Sequence, residues 1–305
     1  MLEGGLSGRL ARRNHTSIRR MNSLLTTKMP IEARYSFLAH ATGRTHYHRV
    51  GPDDGPMVVM VCGATLPMAV WEPLVAPLLD SGFQTIRYDL PGRGHTPLEG
   101  LGASFQAHID QLHYLLEGLR IHQPVRLIGL ASGALIVAAY TERNPARVSH
   151  VCLIAPDGAG TRLTLTERLL TTPLGRLLFG FTAQRTLFAR IPRYSSRADI
   201  QAFVRNLLNF SLRSPGFHEA VLETVRTFPL HHGEEYYLRL SKAGVPTCVI
   251  WGREDYITPP NAADTMHATF GEGALHILKN VGHLPFVEDP ASVARLLERH
   301  FGDGR

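Results

Sequence analysis

Residues 127–136 read LIGLASGALI. A strand-like run, VRLIGL, ends there and a helix-like run, ALIVAAYTERNP, begins. Small residues two before and two after a central position let a strand turn abruptly into a helix and lift the central side chain to the sheet edge. The pattern G-x-S-x-G is the nucleophile elbow, in which the residue after the nucleophile also lends an N–H to an oxyanion. Gly129 and Gly133 are in place, but the central residue is Ala131. Ser132 does not fit as the nucleophile, because its register would put bulky Leu130 at the crowded position two residues earlier. Ser132 fits better as the neighbour that donates its backbone N–H. A Gly-containing strand–helix turn also occurs in α/β proteins without catalytic meaning, so the surrounding pattern has to decide.

From about residue 44 that pattern alternates. THYHRVG, MVVMVCG, QTIRYDL, VRLIGL and VSHVCLIAP read as strands, and WEPLVAPLLDSG, FQAHIDQLHYLLEGL and ALIVAAYTERNP as helices between them. The apolar strands are continuous rather than alternating, as strands buried on both faces are. Strands alternating with helices predict an α/β fold, a mostly parallel sheet with helices on both faces. From 157 to 241 only helical segments follow, among them LTERLLTT, DIQAFVRNLLNFSL and HEAVLETVRTF. The β/α rhythm then resumes with PTCVIWG, NAADTMHATFG, ALHILKNVG and ASVARLLERHF. The expected organisation is a core of 32–156 and 242–305 interrupted by a helical insertion of 157–241, preceded by a leader of 1–31.

Three further stretches fall where loops leave strands: RYDLPGRGHT at 87–96, WGREDYITP at 251–259 and NVGHLPFVEDP at 280–290. They place Asp255 after a late strand and His283 after the last one, so elbow, acid and histidine follow in the hydrolase order. With these four stretches, residues 44–302 resemble the α/β-hydrolase superfamily, and within it the capped serine hydrolases that act on esters, lactones or carbon–carbon bonds. The resemblance implies Asp255 as the triad acid, His283 as the general base, Ala131 at the nucleophile position, and residues 157–241 as a helical cap over the active site. It also implies an oxyanion hole from the backbone N–H groups of Ser132 and of Ala64 or Thr65. The strand before that loop usually ends His-Gly in the superfamily; here VCGATLP puts Cys62 in place of the histidine.

The roles make chemical sense. A histidine titrates near neutrality and can take and return a proton within one turnover. An aspartate on its far nitrogen fixes the tautomer and stabilises the imidazolium. Among sixteen histidines most are ordinary surface or core residues, and His283 is set apart by the G-H-x-P-x-x-E-x-P stretch. Asp255 competes with the plain reading of a solvated loop carboxylate, and Asp157, just past the sixth strand, is an alternative acid. Cys62 ends a buried strand with nothing in sequence to activate it. His231–His232 reads as a solvated turn.

Composition limits the rest. The formal charge of +6 does not mark a nucleic-acid binder: Arg9, Arg12, Arg13, Arg19, Arg20 and Lys28 lie in residues 1–31 against the single acid Glu3, leaving the remainder nearly neutral. That leader is Arg- and Ser/Thr-rich, as transit peptides are; it reads equally as a disordered leader, or as upstream of a start at Met21 or Met29. The expected compartment is the cytoplasm, or an organellar matrix if the leader is a targeting signal. No apolar run approaches the roughly 18 residues of a membrane span. Cys62, Cys152 and Cys248 lie in strand-like runs without metal-clip spacing, and are expected reduced and buried. No dinucleotide fingerprint or ligand-spaced histidine pair appears, so neither cofactor nor metal is expected, and the oligomeric state is left open.

Three readings remain open. The first is a serine hydrolase whose nucleophile has been replaced by alanine, a loss that costs on the order of a millionfold in turnover. The second is a non-hydrolytic lyase, cyclase or isomerase that uses His283 and Asp255 as a base pair. The third is a ligand-binding pseudoenzyme. In each, the Leu-, Phe- and Arg-rich stretch TPLGRLLFGFTAQRTLFARIPRY predicts a pocket for a small, apolar substrate.

Overall fold

Runs rich in β-branched and aliphatic residues cannot be left facing water, and they become the central strands here, with Gln84, Arg87 and Arg126 as buried polar exceptions. A computed structural model describes residues 36–41, 43–100, 102–160, 172–258 and 260–302. Eight strands form one sheet: β1 (Ser36–His40), β2 (Gly43–Val50), β3 (Met57–Val61), β4 (Gln84–Tyr88), β5 (Val125–Leu130), β6 (Val148–Ile154), β7 (Thr247–Gly252) and β8 (Leu275–Leu278). Their order across the sheet is β1-β2-β4-β3-β5-β6-β7-β8. The β1–β2 and β2–β4 pairs are antiparallel and the others parallel. Every residue of β4 and β5 is buried, which requires cover on both faces.

That cover comes from two groups of helices. Helix α1 (Glu72–Asp80) lies against α10 (Pro290–Phe301). Helices α2 (Phe105–Gly118), α3 (Ser132–Arg143), α7 (Glu234–Lys242) and α8 (Ala263–Phe270) pack in succession. Ser104 caps α2 by accepting the Ala107 N–H. Between β6 and α7 the described residues form α4 (Pro173–Ala189), α5 (Ala198–Ser211) and α6 (Phe217–Thr227), and no strand. The short α9 (Pro285–Glu288) precedes α10. The segment LTERLLTT lies, but for Thr172, outside the described residues.

Sequence reading begins the sheet at THYHRVG, and the structure adds β1 before it. Its burial alternates between half-buried and exposed, so its five residues carry little apolar signal. Strand order decides where a site can form. From β3 the chain steps outward to β4, then returns to the other side of β3 with β5. The loops leaving β3 and β5 diverge, and such a switch point opens a crevice at the carboxyl ends of the strands. The residues leaving these two strands are Cys62-Gly63-Ala64-Thr65 and Ala131-Ser132.

Candidate active site

The turn at Ala131 is strained. Its φ is 49° and its ψ is −117°, a conformation that costs a non-glycine residue about 1–3 kcal/mol. Surrounding contacts hold it: the Ala131 N–H donates to Ile154 O at 2.9 Å, and its carbonyl accepts from Ala134 N at 3.0 Å and Asp157 N at 3.2 Å. The flanking glycines give the room. A Cβ on Gly129 would sit 2.6 Å from Gly133 O, and one on Gly133 only 2.5 Å from Cys62 O. Ser132 is the first residue of α3, so the register set by the glycines centres the turn on Ala131. The Ser132 hydroxyl is buried and has no hydrogen-bond partner.

Gly63 brings the β3 loop beside the elbow, since a Cβ placed on it would lie 3.4 Å from Ala131 Cβ. Among the described residues, none of the Ala64, Thr65 and Ser132 N–H groups is paired with a backbone carbonyl. All three are thereby available as donors, and Ser132 N–H also stands at a helix N-terminus, where the backbone dipoles favour negative charge. Cys62 does not point to chemistry: burial pushes its thiol far above the usual range, and the nearby Asp89 adds to the shift.

Asp255 and His283 come together from the loops after β7 and β8. His283 Nδ1 lies 2.8 Å from Asp255 Oδ2, with both residues buried. Asp255 Oδ1 accepts the N–H groups of Ile257 at 2.8 Å and Thr258 at 2.9 Å. The Thr258 hydroxyl lies 2.8 Å from Asp255 Oδ2 and 3.1 Å from Ala155 O. A carboxylate that accepts from Nδ1 favours the tautomer with the proton there and leaves Nε2 as the nitrogen that could accept one. Asp157 instead meets the elbow through its N–H and accepts Tyr237 OH on its carbonyl.

Several residues here carry no assigned role in the sequence reading. Tyr194 lies between α4 and α5. Its carbonyl accepts the His283 N–H at 2.8 Å, its ring meets the imidazole edge-on at 5.2 Å, and its hydroxyl lies 3.4 Å from Thr65 Oγ1. Glu288 accepts Gly282 N–H at 2.8 Å and Ser195 O–H at 2.7 Å, fastening the histidine loop to the segment that carries Tyr194. Thr258 had a local signal, an Asp followed at the third position by Thr. Glu288 sits inside the quoted histidine stretch. Tyr194 and Ser195 left none, because their contacts span long separations.

A family model described as the alpha/beta hydrolase fold matches residues 56–290. The chain belongs to the α/β-hydrolase family. Among this family's curated members, human monoacylglycerol lipase ABHD6 is 23% identical over 261 residues, covering 81% of this chain and 75% of that protein. The pimeloyl-(acyl-carrier protein) methyl ester esterase of Nitrosomonas europaea is 26% identical over 247 residues, 78% of this chain and 92% of the esterase. A serine-to-alanine mutant of a meta-cleavage product hydrolase from Pseudomonas fluorescens IP01, complexed with acetates, superimposes with a TM-score of 0.71 at 20% identity, covering 90% of this chain and all of that one. No helix among the described residues is long and apolar enough to cross a membrane.

Proposed function

We propose that this chain carries the machinery of a serine-type hydrolase for a small apolar ester, lactone or carbon–carbon substrate, and that Ala131 alone keeps it from forming an acyl-enzyme. One observation carries the reading: the elbow keeps its strained φ of 49° at Ala131 while His283 and Asp255 remain buried and bonded at 2.8 Å. A turn that served packing alone would be met at lower cost by glycine at that point. In this reading Ser132 and Ala64 or Thr65 supply the oxyanion donors, and residues 157–241 form a cap whose Tyr194 touches the base.

With a serine at 131, His283 Nε2 takes the hydroxyl proton, the oxygen attacks the substrate carbonyl, and the N–H groups receive the developing negative charge. The proton then passes to the leaving group, and water repeats the sequence to release the acid. With alanine the first bond cannot form, leaving binding and the oxyanion hole. The names of the similar proteins (a lipase, an esterase and a meta-cleavage product hydrolase) support an acyl substrate. The serine-to-alanine mutant bound to acetates shows a member of the same fold holding small carboxylates when so altered.

A second reading rests on the hydrogen bonds of Asp255 to Ile257, Thr258 and His283, present although there is no serine hydroxyl for His283 to deprotonate. A His–Asp base acting directly on substrate carbon fits that. Turnover of p-nitrophenyl butyrate separates the two. Hydrolysis by Ala131→Ser and none by the unchanged chain supports the hydrolase; no hydrolysis by a folded Ala131→Ser protein favours the second reading.

A further inference from the structure

Arg93 is wholly buried, in the turn after β4. The turn is built for it. Asp89 accepts the N–H groups of Met68 at 2.7 Å and His95 at 3.0 Å, and pairs with His46 Nδ1 at 2.6 Å. Gly94 has a φ of +54°, and a Cβ there would fall 2.2 Å from the Asp89 carboxylate. Among the described residues the guanidinium then meets neutral oxygens only: Nε donates to Ala64 O at 2.8 Å, one terminal nitrogen to Pro91 O at 2.7 Å, and the other to Ala220 O at 3.2 Å and Thr224 Oγ1 at 2.7 Å. Burial draws its pKa down to about 9, opposed by the charge of Glu223 on α6, so it is still a cation at neutral pH. Burying a charge without a bonded counter-charge is expensive, and an apolar side chain would serve packing alone.

Its two ends show what it joins. Ala64 O and the Thr65 N–H belong to one planar trans peptide, in which they point in opposite directions. Fixing that carbonyl from one side fixes the direction of the N–H on the other. A carbonyl polarised by a cation also makes its N–H a stronger donor. The far end grips α6 at Ala220 and Thr224, and Gly92 lies so near that a Cβ on it would be 2.6 Å from Ala220 Cβ.

We propose that Arg93 is a positioning residue that couples the seat of helix α6 to the Thr65 N–H, and that Thr65 rather than Ala64 is the oxyanion donor beside Ser132, so that docking of the α6 segment and alignment of the hole occur together. This rests on the hydrolase reading for what the Thr65 N–H does, but not for the mechanical link itself.

Two linked experiments test it. In the Ala131→Ser protein with p-nitrophenyl butyrate, Arg93→Lys is expected to lower kcat about tenfold, a fraction of the loss on deleting an oxyanion donor, with little change in KM. Thr224→Val, which removes one bond at the far end, is expected to lower kcat about threefold, as misplacement from outside the site does. Adding it to Arg93→Lys is expected to cost nothing further. An unchanged kcat in Arg93→Lys, or losses that multiply in the double variant, would overturn the coupling. If Ala131→Ser hydrolyses no ester at all, the hydrolase reading fails and the amide NMR spectrum of the Ala131 chain decides the link. There Thr224→Val is expected to shift the Thr65 amide resonance together with those of α6. Shifts confined to α6 with Thr65 unchanged contradict it.

Discussion

His283 reaches Asp255 through Nδ1 at 2.8 Å, and the loop after β8 is held to that geometry from two sides, by Tyr194 O on the His283 N–H and by Glu288 on the Gly282 N–H. These contacts anchor the backbone that carries the imidazole, and in the proposed role Nε2 is the nitrogen that takes the proton.

The roles of this pair are tested in the Ala131→Ser background. His283→Ala is expected to lower ester turnover by at least about a thousandfold, because a triad residue acts only as part of the unit. Asp255→Asn keeps the shape but favours the wrong tautomer, with an expected loss of about ten-thousandfold. Steady-state kinetics measures both, and retained activity in either removes that residue from the site.

The elbow stores backbone strain that glycine does not feel. Ala131→Gly is expected to raise stability by about 1 kcal/mol, the relief of strain exceeding the added freedom of glycine in the unfolded chain. In a chain of this size that is a rise of a few degrees in Tm. A fall in Tm on thermal melting would mean that Ala131 sits in the turn without strain.

Close approach at Gly133 makes the opposite prediction. Gly133→Ala drives a methyl to 2.5 Å from Cys62 O and 2.6 Å from Val61 O, and is expected to cost about 1–3 kcal/mol, as overpacking does. Gly273→Ala, with nothing within 4 Å, is the control expected to melt near the unchanged chain.

His108 gives a pH dependence. It is fully buried, Nδ1 donates to Ser104 O at 2.7 Å, and burial foremost, with nearby Arg93, lowers its pKa to about 3 from 6.5. Between those values the unfolded chain binds the proton and the folded chain does not. The folded state is therefore favoured fully above pH 6.5 and progressively less as pH falls towards 3, by up to about 1.4 kcal/mol per pH unit. His108→Gln lacks this titration. Denaturant melts at pH 7.5 and 5.5 are expected to show the unchanged chain losing stability relative to the variant; parallel pH profiles would contradict the assignment.

The sheet is legible because MVVMV, LIGL and CVIWG are continuously apolar, which only strands covered on both faces tolerate. The elbow is legible because Gly129 and Gly133 answer to backbone crowding, a local requirement written locally. Ala131, Asp255 and His283 each follow the carboxyl end of a strand, and parallel strands deliver such positions to one edge. Strand β1 was not read, since SFLAH is a short half-exposed edge. Arg93 and Tyr194 depend on partners in α6 and beyond β8, and nothing in their own neighbourhood announces a contact so far along the chain.

If the machinery around Ala131 is poised for acyl transfer and lacks only the attacking oxygen, a serine at that position becomes a reactive nucleophile. Covalent labelling by a fluorophosphonate probe shows this, with the unchanged chain, Ala131→Ser and Ala131→Ser/His283→Ala side by side. Labelling at residue 131 is expected in Ala131→Ser alone. No labelling of a correctly folded Ala131→Ser protein, or equal labelling without His283, overturns the hydrolase reading.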